Sequence, residues 1–247
     1  MKFERAAEQI VNNGPILVST GAGISVESGI PSFRGPGGLW EKHDPIYFDL
    51  DYFKENPKHC WEKIREIFYQ GWKLYQPNEA HYTLSEMQNC GLIHTLVTQN
   101  IDGLHQKAGS DAVEFHGSLS RVKCMACAFS TEATDDVVMQ ELPRCPVCGA
   151  VLKPEVVFFK EDIPAYAYRR AFAAAQEVKT VLVIGTSGTV QPACLIPDVA
   201  KQCGAKIIEV NLEPSEFSRK GITDIYLSGQ SSAVMRKLWK AIRNCQK

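Results

Sequence analysis

Four cysteines stand in two C-x-x-C pairs, Cys124/Cys127 and Cys145/Cys148, with 17 residues between the pairs. Thiolates at this spacing converge on one tetrahedral ion, which predicts a structural zinc site. A redox C-x-x-C needs no second pair at this distance, and Pro143, Pro146 and Gly149 supply the turns of a zinc knuckle. A different chemistry is offered by Gly21-Ala22-Gly23-Ile24-Ser25, which follows the apolar run Ile16-Leu17-Val18. A tight glycine turn at a strand end lets backbone N–H groups and a helix N-terminus meet a pyrophosphate. The third glycine of G-x-G-x-x-G would fall at Val26, so this is half of a dinucleotide fingerprint, and taken alone a structural turn explains it equally well. His116 carries an imidazole suited to acid–base work near neutral pH, although a lone histidine at a strand end is more often a hydrogen-bonded core residue.

These groups need a scaffold that gathers strand ends. Phe3, Ala6, Ala7, Ile10 and Val11 recur at helical spacing, and Gly14-Pro15 ends that helix before the first apolar run. Short apolar runs return at 92–97, 156–159, 181–184 and 207–210, separated by helical stretches such as 166–178 and 192–202. This alternation predicts an α/β fold, a parallel sheet with helices on both faces. Gly21, Gln99, Gly185 and Asn211 each lie just past the carboxyl end of a predicted strand, the edge along which such sheets bind ligands. Trp61, Ile64, Phe68 and Trp72 would line one face of a helix in an irregular stretch at 35–75. Asp102 stands where it can cap a helix starting near Gly103.

The chain has 247 residues, of which 45% are hydrophobic, enough for one large core and a small satellite held by the metal. A formal net charge of -1 argues against a nucleic-acid coat or a membrane-surface binder. No apolar run approaches the ~20 residues of a membrane span, and residues 1–9 are too polar for a signal peptide, so a soluble intracellular protein is expected. Cys60, Cys90, Cys194, Cys203 and Cys245 are scattered and odd in number, and read as buried thiols in a reducing compartment.

Residues 21–35 read GAGISVESGIPSFRG, 98–102 read TQNID, 154–161 read PEVVFFKE and 185–187 read GTS, with His116-Gly117 and Asn211-Leu212-Glu213 in matching order. Together these resemble the sirtuin family of NAD-dependent protein deacylases, in the branch that includes bacterial and archaeal sirtuins and desuccinylase-type members. The resemblance covers almost the whole chain. It implies a Rossmann-like NAD-binding domain at 1–34, 76–119 and 154–247, a helical part of a small domain with a cofactor loop at 35–75, and a zinc-binding module at 120–153.

The resemblance also implies site roles. Gly21, Ala22, Gly23 and Ser25 take the pyrophosphate, while Ser187, Asn211 and Glu213 surround the adenosine. Phe33 and Arg34 face the cofactor and the reacting ribose; Gln99, Asn100 and Asp102 line the nicotinamide pocket, with Asp102 accepting from the carboxamide. Ile30, Trp40, Ile101, Gly185, Thr186, Leu212 and Ser231 complete the cofactor set. Tyr69, Val156, Val157, Phe159 and Val190 border the acyl-lysine, and the 156–159 backbone pairs with an extended peptide. The implied reaction moves an acyl group from lysine to ADP-ribose as nicotinamide leaves, so NAD is consumed. His116 would deprotonate a ribose hydroxyl, a contribution of ~10²–10⁴-fold, with Asn100 orienting hydroxyls and water and Phe33 shielding C1'. His81 and His105 read as structural, and His43, His59 and His94 as surface or packing residues.

Two departures bear on the substrate. Lys160 stands where glycine is usual in VVFFGE, and Gln191 where an aromatic is frequent. The Tyr-x-x-Arg pair that binds succinyl or malonyl carboxylates has as its nearest candidate Tyr69-Gln70-Gly71-Trp72, without the arginine. A neutral acyl pocket, and most simply a deacetylase, is therefore expected. An ADP-ribosyltransferase and a non-catalytic NAD-sensing module are the alternatives, and the set His116, Asn100 and Asp102 weighs against the second. The expected partners are acyl-lysine proteins or peptides, with no nucleic acid and no membrane, for a cytoplasmic monomer.

Overall fold

A computed structural model of the protein describes residues 1–35, 37–71 and 74–246. Its larger sheet contains β1 (Ile16–Thr20), β2 (Ile93–Thr98) and β3 (Ala112–Glu114). The smaller sheet contains β4 (Gly117–Cys124), β5 (Ser130–Glu132) and β6 (Leu152–Val156). The larger sheet is completed by β7 (Thr180–Ile184), β8 (Lys206–Asn211) and β9 (Ile225–Ser228). Its order is β3-β2-β1-β7-β8-β9, and every pairing is parallel. Chain order reverses between β1 and β7, which makes their carboxyl ends the topological switch point.

All five residues of β1, and all five of β7, are buried, as strands covered on both faces must be. Alternate side chains enter opposite cores. Val18, Leu182 and Ile208 pack with Ala6, Leu84 and Leu238 from helices Lys2–Asn12, Glu79–Asn89 and Ser231–Cys245. Leu17, Val181 and Ile207 pack on the other face with Ala171 and Ile196 from helices Ala165–Glu177 and Leu195–Gln202.

A third core joins the two irregular stretches. Cys60, Trp61 and Ile64 of helix Pro57–Ile64, with Phe68 and Tyr69 of the π-helical turn Arg65–Tyr69, pack against Val122, Val138 and Leu152. The Trp61 indole N–H donates to the Leu152 carbonyl at 2.7 Å. Trp72 lies outside the described residues.

Three expectations need correction. The apolar run 156–159 is not a strand of the parallel sheet: β6 ends at Val156 and pairs antiparallel with β4, and the chain then leaves the sheet. A continuous apolar run cannot distinguish a buried strand from a cavity wall, and here Phe158 is buried while Phe159 is 46% exposed. The four-residue β9 gave no sequence signal of its own. The non-zinc thiols are not all buried, since Cys90, Cys203 and Cys245 are exposed.

Candidate active site

The loops after β1 and β7 meet backbone on backbone. Gly21 N–H donates to Ile184 O at 3.0 Å, and Gly23 N–H donates to Gly185 O at 2.8 Å. A Cβ on Gly23 would stand 2.7 Å from Gly185 Cα, and one on Gly185, whose φ is +62°, would collide with the Ile24 nitrogen. Only glycine permits this approach. The expected helix N-terminus is absent: two 3-10 turns, Ala22–Ile24 and Val26–Ser28, follow instead. In the usual fingerprint the third glycine serves close helix–strand packing; Val26 is 46% exposed, so nothing demands glycine there.

A cavity of about 1080 Å³ runs along the carboxyl ends of β1, β2, β7 and β8 and under the segment after β6. Gly21, Ala22, Gly23, Gly185, Thr186 and Ser187 form its floor at the switch point, and Asn211, Leu212 and Glu213 close one end. Thr186 links three strand ends, accepting from Gln99 Nε2 at 3.2 Å through its hydroxyl and from Asn211 Nδ2 at 2.8 Å through its carbonyl. Phe33, Arg34, Trp40, Gln99, Asn100, Ile101, His116, Val156, Val157, Phe159 and Val190 also line the cavity. Ser25, Ile30, Asp102 and Ser231 do not.

His116 Nδ1 lies 3.1 Å from the Gln99 carbonyl. A carbonyl only accepts, so Nδ1 carries the proton and Nε2 keeps a free lone pair. Burial pushes the imidazole pKa below its ordinary value, although the Gln99 bond opposes this. The Asn100 amide nitrogen donates to Gly21 O at 3.2 Å and to Ser25 Oγ at 3.1 Å, which leaves its Oδ1 without a donor among the described residues. Behind it the Ser25 hydroxyl donates to Asp102 Oδ2 at 2.7 Å, while Asp102 Oδ1 caps Leu104 N–H at 2.9 Å. Asp102 thus orients Asn100 through Ser25, and burial raises its pKa. His81 and His105 sit deeper in this network. His105 Nε2 is 3.0 Å from Thr20 Oγ1, and burial holds His81 down to about 4.

The four zinc-motif thiols converge in the small sheet's loops, with all Sγ atoms within 4.8 Å of one another. Cys124–Cys148, Cys127–Cys148 and Cys127–Cys145 separations are 3.5, 3.6 and 3.7 Å. Tetrahedral Zn–S bonds near 2.3 Å require about 3.8 Å between sulfurs, so the set fits one zinc with no open position. Gly149 takes a φ of +73°, the turn its place in the motif predicts.

The Sir2 family model matches residues 21–192, which carry the glycine loop, His116, the thiol set and the segment after β6. The chain belongs to the Sir2 family. An NAD-dependent protein deacylase of Pyrococcus furiosus is 42% identical over 243 residues, 94% of each chain. An NAD-dependent protein deacetylase of Saccharolobus solfataricus is 42% identical over 218 residues, covering 86% of this chain and 87% of the relative. A Sir2 homologue solved with NAD superposes with a TM-score of 0.91 at 34% identity, covering 99% of this chain and 95% of that one. A Sir2 structure with a p53 peptide and NAD+ gives 0.88 at 30% identity over the full length of both chains.

In this Sir2 chain, Tyr69 does not reach the cavity. It is 5% exposed and its hydroxyl donates to Leu119 O at 3.1 Å. Arg65 is likewise engaged elsewhere, donating to Gln140 O at 2.6 Å, and Lys73 lies outside the described residues. The N–H groups of Val157, Phe158 and Phe159 donate to His116 O, Glu161 Oε2 and Phe48 O, which narrows the backbone edge left for a peptide. Lys160 takes a φ of +68°, which explains why glycine is usual there, and its ammonium bridges Asp49 and Asp51 at 3.0 and 3.1 Å. Sequence reasoning missed Phe48, Phe68 and Phe158, which build the aromatic wall: Phe48 lies 5.2 Å from Phe68 and 5.6 Å from Phe158 between ring centroids. It also missed Glu209, a fully buried carboxylate that accepts from Ser215 N–H and from the Ser218 and Thr223 hydroxyls and so shapes the loop carrying Leu212 and Glu213.

Proposed function

We propose that the chain is an NAD-dependent protein-lysine deacylase, most simply a deacetylase, that transfers the acyl group to ADP-ribose and releases nicotinamide. The observation that carries this reading is the neutral His116 imidazole, locked with its Nε2 lone pair available on the wall of the switch-point cavity, beside the free Oδ1 of Asn100. NAD supplies the ADP-ribosyl acceptor. His116 Nε2 takes a proton from a ribose hydroxyl; Asn100 Oδ1, held by Gly21 and Ser25, orients that hydroxyl and a water. Phe33, 5.3 Å from Trp40 and 6.4 Å from Phe68 between centroids, excludes other water from the reacting carbon.

Gly21, Gly23 and Gly185 would admit the pyrophosphate against bare backbone, and Ser187, Asn211 and Glu213 would face the adenosine. Val156, Val157 and Phe159 would flank the acyl-lysine chain. The zinc would be structural, tying 120–153 to the helical residues of 35–75, with the remaining segments forming the NAD-binding domain. Among the described residues no helix is long and apolar enough to cross a membrane, and thiols left unpaired outside the zinc set fit a reducing, cytoplasmic compartment; the enzyme would act as a monomer.

Incubation with NAD and acyl-lysine peptides, followed by mass spectrometry, should show one O-acyl-ADP-ribose and one nicotinamide per lysine freed. ADP-ribose attached to protein instead would move the reading to ADP-ribosyl transfer.

A further inference from the structure

Lys153, on β6, is 1% exposed. A lysine ammonium is found so far from water only when its three N–H donors have acceptors. Here Nζ donates to Val156 O at 2.5 Å and to Pro154 O at 3.1 Å, and pairs with Glu161 Oε2 at 2.9 Å. It also lies 4.1 Å from the Phe158 ring centroid. Val156 and Glu161 both belong to the stretch that lines the cavity, which runs on through Asp162 and Ile163, so one ammonium ties the start of that stretch to a point five residues on. Glu161 in turn accepts from Phe158 N–H at 3.0 Å and from Lys123 Nζ at 2.7 Å. Lys153 itself lies outside the cavity lining, so any effect on substrate passes through this segment.

We propose that Lys153 is a positioning residue for the acyl substrate, holding residues 156–161 in the shape that flanks the acyl-lysine, a role that rests on the deacylase reading. The cofactor floor at Gly21, Gly185 and Asn211 shares no hydrogen bond with it. Loss of Lys153 therefore separates substrate binding from cofactor binding, which a general loss of packing would not do. Arginine preserves the charge and the donors to Val156 O and Glu161, while methionine keeps the apolar stem and removes the charge.

The test compares wild type, Lys153→Met and Lys153→Arg for acetyl-peptide KM and kcat and for the Kd of ADP-ribose. Lys153→Met should raise the peptide KM at least tenfold, with kcat within about threefold and ADP-ribose Kd within about twofold, and Lys153→Arg should recover most of the KM. An unchanged KM, or an ADP-ribose Kd weakened in step with it, overturns the proposal. Should Lys153→Met fail to fold, the pH profile decides. Burial lowers the Lys153 pKa to about 8 against the opposing pull of Glu161 and Glu155, with Lys123 adding to the lowering. Wild-type peptide KM should then climb between pH 7.5 and 9.5 while the Lys153→Arg profile stays level, and parallel profiles overturn the proposal. A wild type that neither binds nor deacylates the peptide fails the deacylase reading instead.

Discussion

The Nδ1 of His116 stands 3.1 Å from the backbone oxygen of Gln99, so the residue that follows β2 dictates which nitrogen of the imidazole can act as a base. The same contact fixes the ring's orientation toward the cavity, and burial keeps the ring neutral to lower pH than a free histidine.

His116→Ala should reduce deacylation by ~10²–10⁴-fold, the usual worth of a positioned base, while ADP-ribose binding and melting temperature stay near wild type. The base works only when neutral, and burial lowers its pKa. The acid limb of wild-type kcat/KM should therefore fall below the ordinary imidazole value of about 6.5. Near-normal turnover by the variant would remove His116 from the mechanism.

Gly185→Ala places a Cβ against Ile24 N at a backbone conformation that L residues rarely adopt. Neither strand end can retreat, since β1 and β7 are paired along their length and buried on both faces. We expect destabilisation of a few kcal/mol, roughly the range for strain at a special backbone position. ADP-ribose affinity should drop together with it. A calorimetric melt and a titration check both, and a variant that melts and binds like wild type would show that the two loops are looser than described.

Metal removal should unfold the small sheet. Four thiolates on one ion contribute an apparent ~10–16 kcal/mol in small zinc modules, and Cys124 and Cys145 belong to the same core as Trp61, Phe68 and Phe158. A chelator should therefore lower the melting temperature and weaken peptide turnover, with one zinc per chain released. Full activity in metal-free protein would refute the structural role.

Neutral acyl groups should be preferred to succinyl. The inner wall is made of Phe33, Phe48, Phe68, Val156 and Phe158, the Tyr69 hydroxyl is committed to Leu119, and Arg65 reaches away to Gln140. A carboxylate drawn into such a wall loses several kcal/mol of hydration, more than one hydrogen bond of about 1.5–3 kcal/mol restores. On one peptide sequence, acetyl-lysine should exceed succinyl-lysine in kcat/KM by at least roughly tenfold, equivalent to ~1.4 kcal/mol. Equal rates would point to Arg34 or Arg169, which are exposed on the cavity lining, as the cation.

Features encoded by short spacings were legible in the sequence. The two C-x-x-C pairs, the glycine turn after an apolar run, and the βα alternation each involve residues close together along the chain, and period and turn chemistry report them. What stayed hidden depends on partners far apart. Lys153 reads as an ordinary surface lysine until Glu161 and the carbonyl of Val156 are brought around it. Tyr69 is expected at the substrate from its place in the Tyr-x-x-Arg register, yet β4 supplies Leu119 to accept its hydroxyl. Phe48 and Phe158 meet across 110 residues of chain, with no local pattern to announce it. Residues 157–159 misled for the opposite reason, because a cavity wall and a buried strand have the same composition.

The contact of Gly21 and Gly23 with Gly185 joins two halves of the chain that are remote in sequence. On the proposed reading the pyrophosphate lies on these glycines, so until β1 has found β7 it would have no floor and a partly folded fragment would not hold the dinucleotide. Cofactor concentration then acts as a thermostat on the complete fold alone: free ligand at a hundred times its Kd adds about 2.7 kcal/mol to the native state and nothing to its competitors. A cell depleted of NAD would lose not only the reaction but part of the reserve that protects this protein from unfolding and proteolysis.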